Sequence, residues 1–265
     1  IDTIMNNKNI WNLKNDILNY GGWNIFQRID YLLSISDDID DKKGAGFDIS
    51  LTDCWSRMLS YQMFDLPWHG AGFTLSSVQD TDTFKNFQMP LPMMAAASRT
   101  PGTITVDLTQ TVYEMSPFEF GSWDPSVFEF TKTRWLGTKL VDGKPIGKCY
   151  NGFDNTGYMF GTSSSLFNYL VLDVSKTQIT GALADLINDF SIGATDLHQD
   201  TAVYKPNPFY KSNIGSVSAI TNDEGLYLVD GGEANQNLPL SPMTIPERQV
   251  DILFAFDNSA NTGDD

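Results

Sequence analysis

Residues 226–229, Leu226-Tyr227-Leu228-Val229, form an unbroken apolar run that closes on Asp230-Gly231-Gly232. A strand with one wet face alternates apolar and polar side chains. A strand apolar at every position must have both faces covered. Residues 250–256 repeat the pattern with Asp251 as their one polar position. Both runs predict strands inside a sheet with helices packed on it. Residues 93–97 and 103–106 predict two further strands between turn-forming residues.

Helical patterns supply the cover. Residues 24–43 carry Ile25, Ile29, Leu32 and Leu33 at helical spacing, then close on Lys42, Lys43 and Gly44. Over 50–64, Ser50 and Asp53 form an S-x-x-D cap. Leu51, Cys54, Trp55, Met58 and Leu59 then make one stripe. Further helices are expected over 166–172 and 176–190. Asp142-Gly143 predicts a hairpin standing off the sheet. Helices alternating with buried strands give an α/β class, with a mixed, mostly parallel central sheet flanked by helices. Hydrophobic residues at 41 % supply a real core, so wholesale disorder is excluded. No linker or repeat divides the chain, so residues 1–265 are expected to be one domain.

Charge and apolar run length narrow the function. With 17 Lys and Arg against 33 Asp and Glu, the chain carries −16. That argues against nucleic acid, whose partners carry basic footprints, and against steady docking on anionic lipid at neutral pH. No apolar run approaches the roughly 18 residues of a spanning helix. Cys54 and Cys149 make no disulfide framework; one bridge or two buried thiols are both open, though the stripe over 50–64 puts Cys54 in the core. The chain opens at Ile1, without initiator Met or signal-like segment, and stops at a polar tail beyond an apolar run. It is expected to be a piece of a longer protein.

Most catalytic signatures are missing. No G-x-S-x-G elbow, phosphate loop, H-E-x-x-H or paired C-x-x-C occurs. Gly161-Thr162-Ser163-Ser164-Ser165 comes near an elbow but reads better as a helix N-cap. His69 and His198 stand alone and read as structural. The acidic run Asp37-Asp38-Ile39-Asp40-Asp41 reads as a solvated helix face. Asp230 differs. An acid at the end of a buried strand, followed by two glycines, sits where α/β sheets bind ligands. Asn235, Asn237, Leu238 and Pro239 follow closely. Spacing alone still favours a plain turn.

Several longer blocks bear on that choice. YEMSPFEFGSWDP (113–125), KCYNGFDNTGYMFGTSSSLFN (148–168), NPFY (207–210), LVDGGEANQNLPLSPM (228–243) and PERQVDILFAFDNSA (246–260) resemble the fungal phospholipase B / lysophospholipase family. AGFDISLTDCWSRMLSYQ (45–62) continues the match, which runs from about Trp11 to the end. More weakly, the chain resembles patatin and the cytosolic phospholipases A. The resemblance implies a patatin-like three-layer catalytic domain and a Ser–Asp dyad that hydrolyses the acyl ester of lysophospholipids, and of diacyl phospholipids as second substrates. It implies no metal and no cofactor. By position in the D-G-G motif, the base of the dyad is Asp230. A serine hydroxyl is a weak nucleophile until a base takes its proton, and burial makes a carboxylate a better base.

The departures from the family are specific. Its serine elbow and its Gly-rich oxyanion loop with an arginine fall upstream of this segment. The chain is expected to hold the C-terminal part of the catalytic domain and one half of the dyad, and to be inactive alone. A catalytically inactive lipid-binding or regulatory homologue is the alternative, and a glycan-binding surface protein a more distant one. The expected partner is a phospholipid at a transiently visited membrane or micelle surface, not nucleic acid. The family implies secretion or the cell surface. The absence of any N-x-[ST] sequon also leaves an intracellular membrane compartment open. The aromatic residues of 113–130 suit either an acyl-chain wall or core packing.

Overall fold

A computed structural model of the chain describes residues 25–100, 103, 110–165, 200–234 and 238–256. Three helices are central: α1 (Ile25–Gly44), α2 (Leu51–Met63) and α3 (Thr156–Thr162). Six strands form one sheet: β1 (Met94–Ser98), β2 (Val112–Met115), β3 (Glu119–Ser122), β4 (Glu129–Lys132), β7 (Ala202–Tyr204) and β8 (Leu226–Asp230). The hairpin strands β5 (Leu140–Val141) and β6 (Lys144–Pro145) pair apart from it, as Asp142-Gly143 predicts.

The sheet order is β4-β3-β2-β1-β8-β7, and every described pair is antiparallel. This corrects the expectation of a mostly parallel sheet. β8 is buried on both faces, as its composition demands. Leu226 and Leu228 join the main core, while Val229 packs with Ala97 and Ala234 on the other side. Double burial, however, does not set strand direction; connections do. Residues 116–118 and 123–128 are too short for anything but hairpin returns, whereas a parallel partner needs a crossover of a dozen residues or more.

One face of the sheet carries Tyr113, Phe120, Tyr204 and Leu228 against Tyr158 and Met159 of α3. The rings of Phe120 stack on Tyr113, Tyr204 and Phe209 at 5.4–5.9 Å. Tyr158 Oη donates to Val203 O at 3.0 Å, pinning α3 to β7. α2 begins where expected: Asp53 accepts from Ser50 N at 2.8 Å and from its hydroxyl at 3.3 Å. Its polar side is buried too. Arg57 donates to Asp38 on α1 at 2.8 Å, and Lys42 of α1 pairs with Asp53. The acidic run is therefore not wholly solvated, because Asp38 is spent on Arg57.

Other expectations shift. The buried stripe of α1 runs through Tyr31, Ile35 and Ile39, spaced by four, while Leu33 turns to solvent at 57 % exposure. Residues 104–106, 166–172 and 176–190 lie outside the described residues, as do the side chains of Ile25, Ile29 and Leu32. Residues 250–256 form no strand: they carry no regular secondary structure, have no strand partner among the described residues and are exposed. No described helix is long and apolar enough to cross a membrane.

Candidate active site

Asp230 is the last residue of β8, opposite Ala96 of β1. Its carboxylate Oδ1 accepts from Gly232 N at 2.8 Å, and no described serine hydroxyl or cationic side chain pairs with it. Burial raises its pKa above the ordinary 3.8, and the Gly232 N–H offsets this only in part. Such a carboxyl is poorly hydrated, holds its proton more tightly and is uncompensated by a neighbouring cation. Those are properties of a proton acceptor rather than of an ion-pair partner.

The chain after Asp230 turns back across the sheet through Gly231–Ala234. A Cβ on Gly231 would meet Ala95 O at 3.5 Å, an ordinary contact. Nothing within the described residues therefore demands glycine there. An ionic clamp holds this turn. Arg99, at the end of β1 and almost fully buried, donates to Asp200 just before β7 and lies 3.9 Å from Glu233 in the turn. The sequence held no signal for this cluster, because its members are more than thirty residues apart and each is ordinary by itself.

Arg248 pairs with Glu114 on β2, in the interior of the sheet. Burial raises the Glu114 pKa, and the Arg248 guanidinium offsets only part of that rise. The guanidinium also lies 5.9 Å from the Trp123 ring centre, and Trp123 contacts Phe128 and Phe130. The aromatic stretch thus divides: Tyr113 and Phe120 are core, whereas Trp123, Phe128 and Phe130 form a separate group.

The remaining candidates resolve as follows. Gly161 and Thr162 end α3, and Ser163 and Ser164 form the turn after it; the helix this segment was expected to cap lies outside the described residues. Ser164 Oγ donates to Phe160 O at 2.7 Å and accepts from Trp55 Nε1 at 3.2 Å. His69 stacks on Tyr61 at 3.9 Å, and burial lowers its pKa. Its backbone and that of Trp68 are left-handed, with φ of 48° and 54°. Arg57 donates to both their carbonyls, at 3.4 and 3.1 Å. His198, Asn235 and Asn237 lie outside the described residues. Both cysteines are free thiols, Cys54 buried with its pKa pushed up to about 12, Cys149 exposed. Neither a bridge nor a pair of buried thiols is what forms. No group of three or more potential metal ligands occurs among the described residues.

Comparison with known proteins gives concordant results. Residues 1–265 match the family described as the lysophospholipase catalytic domain. A lysophospholipase of Kluyveromyces lactis is 46 % identical, with the match covering 99 % of this chain and 42 % of that protein. Lysophospholipase 1 of Saccharomyces cerevisiae is 44 % identical, covering 100 % and 41 %. The chain thus spans about two fifths of the length of these relatives. A solved structure of human GIVD cytosolic phospholipase A2 superposes with a TM-score of 0.57 at 14 % identity, over 77 % of this chain and 31 % of that one. This likeness supports the α/β fold.

Proposed function

The chain belongs to the lysophospholipase catalytic-domain family, and from that premise we propose that it supplies the general base of an acyl-ester hydrolase acting on lysophospholipids, with diacyl phospholipids as second substrates. The base is Asp230. The serine nucleophile and the oxyanion donors come from the portion of the relatives' length that this chain does not span. The same portion supplies the third layer of a patatin-like architecture.

The steps follow from general chemistry. The serine Oγ attacks the ester carbonyl carbon while its proton moves to Asp230. The tetrahedral intermediate collapses, and the leaving glycerol oxygen takes that proton. A water molecule then repeats the sequence on the acyl-enzyme and releases the fatty acid. No cofactor and no metal enters this scheme.

The observation that carries the proposal is the environment of Asp230. It is a strand-end carboxyl, raised in pKa by burial, with one backbone N–H as its partner and no cation beside it among the described residues. The test is Asp230→Asn in the full-length protein with a lysophospholipid substrate. General-base loss typically costs 10²–10⁴-fold, so kcat should fall about 10³-fold with KM little changed. Retention of more than about a tenth of kcat would exclude Asp230 as the base. His69→Ala and His198→Ala should each keep most activity, since a dyad needs no imidazole.

A further inference from the structure

Residues 132–148 hold five of the chain's 17 Lys and Arg residues: Lys132, Arg134, Lys139, Lys144 and Lys148. Asp142 is their one acid, so this stretch carries 5 − 1 = +4 within a chain of −16. Of the five, Lys139 and Lys144 stand on the β5–β6 hairpin and Lys148 follows it, while Lys132 ends β4 and Arg134 lies in the turn after β4. β5 and β6 pair Leu140 with Pro145 and Val141 with Lys144, and Ile146 N donates to Lys139 O at 2.9 Å. Side chains alternate across such a ribbon. Leu140 is buried, so Lys139, Val141, Lys144 and Ile146 share the opposite, outer side.

The turn of the hairpin is fixed rather than loose. Asp142 Oδ1 accepts from both the backbone and the side-chain amide of Asn213, each at 3.3 Å. This occupies the local acid and brings Ile214 beside the turn, where a Cβ on Gly143 would lie 3.2 Å from Ile214 Cδ1. The loop carrying Ile214 is itself held to the sheet, since Ser212 Oγ donates to Glu129 at 2.8 Å and Ser216 N to Val127 O at 2.8 Å. Val141, Ile146 and Ile214 are 49 %, 41 % and 61 % exposed. A groove of about 630 Å³ beside the hairpin is lined by Lys139, Ile146 and Lys148, and by Lys205, which pairs with Asp48 at 3.5 Å. Rigid, exposed aliphatic tips set among lysines match a lipid surface: the tips enter the headgroup layer and the ammonium groups meet its phosphates.

We propose that the outer side of the β5–β6 hairpin, with Ile214, docks the protein on an anionic phospholipid bilayer. This rests on the phospholipid-hydrolase proposal above, because it brings the enzyme to the surface holding its substrate. The net charge of −16 does not forbid it. At physiological salt, charges more than about 8 Å away are screened, so the patch acts locally. The acidic remainder then disfavours other orientations.

The test uses full-length protein and flotation with vesicles of phosphatidylcholine, alone or mixed with phosphatidylserine. A lysine near an anionic surface contributes about fivefold in partitioning. Combined Lys139→Glu, Lys144→Glu and Lys148→Glu should therefore lower binding to phosphatidylserine vesicles at least tenfold. The matching Lys→Arg set should keep it. Val141→Asp with Ile214→Asp should weaken binding to both vesicle types. Turnover of a water-soluble short-chain ester should stay unchanged in all these variants, which separates docking from catalysis. A wild-type protein without ester turnover would count against the hydrolase proposal while leaving the docking result readable. Unchanged partitioning of the Lys→Glu set would overturn the docking proposal. So would a lowered melting temperature in the surface variants, which would mean that protein, not lipid, covers this side.

Discussion

Asp230 combines a chemical advantage with a cost to stability. Unfolded, its carboxyl ionises near 3.8; in the fold, burial delays ionisation to higher pH. Below the unfolded value both states hold the proton. As pH rises from there, the unfolded chain releases it first, so Asp230 lowers folding stability through that window and remains destabilising above its folded pKa. Asp230→Asn should therefore melt at a higher temperature than wild type at neutral pH. The gap should close as pH falls below 3.8, where the carboxyl becomes neutral in both states. In the active protein, the acid limb of kcat/KM should sit above 3.8 and follow Asp230. Arg248 makes the opposite kind of contribution. It pairs with Glu114, a carboxylate 7 % exposed, and is itself 21 % exposed. Breaking a buried pair costs roughly 3–5 kcal/mol, and Arg248→Ala should fall at the low end because its guanidinium keeps some water. Denaturant melts of Arg248→Ala and of Arg248→Ala with Glu114→Gln should show the second change restoring part of the loss, with kcat per folded molecule preserved. Cys54 and His69 were legible residue by residue, since a helical stripe and an isolated imidazole each suggest packing. Arg99 was not, because its partners are assembled only by the fold.

Between elements, the contact of α2 with α3 depends on small residues at matched spacing. Gly157 and Gly161 on α3 face Ser60 and Ser56 on α2, four apart in both helices. A Cβ on Gly161 would come within 1.9 Å of Ser56 Oγ and 2.9 Å of Ser56 Cα; on Gly157, within 2.0 Å of Ser60 Oγ. The serines return their hydroxyls to their own helix, Ser56 Oγ to Thr52 O and Ser60 Oγ to Ser56 O, so neither is left unsatisfied at the seam. Gly161→Ala must push the helices apart, because part of what it meets is backbone. A destabilisation of about 1–3 kcal/mol is expected, larger than for Gly157→Ala, whose nearest neighbour is a rotatable hydroxyl. Urea unfolding of the two variants would rank them. The seam matters for the site because Tyr158, between the two glycines, holds α3 to the strand beside β8. Gly157 and Gly161 stood in the sequence as G-x-x-x-G, yet that spacing has meaning only once Ser56 and Ser60 lie opposite.

At the scale of the molecule, residues 250–256 decide how the chain behaves alone. Ile252, Phe254 and Phe256 are more than 70 % exposed, in a segment without strand partners among the described residues. Unpaired apolar backbone of this kind is an aggregation site. The isolated chain should self-associate as its concentration rises, and Ile252→Lys with Phe254→Lys should suppress this in light scattering. It should also show no lysophospholipase turnover, in keeping with a nucleophile supplied from elsewhere in the full-length protein; turnover by the purified chain would place a nucleophilic serine within residues 1–265. The sequence by itself determined which segments are apolar, the helices α1 and α2, where α2 starts, where the hairpin turns and which acid ends a buried strand. Those are local matters, settled by spacing, capping and turn chemistry within about fifteen residues. Strand direction in the sheet, the Arg99 clamp, the partner of Arg248, the meeting of Ile214 with the hairpin turn and the failure of residues 250–256 to pair were decided only by the tertiary structure. Each depends on which distant segments meet, and an apolar pattern records that a residue is buried without recording against what.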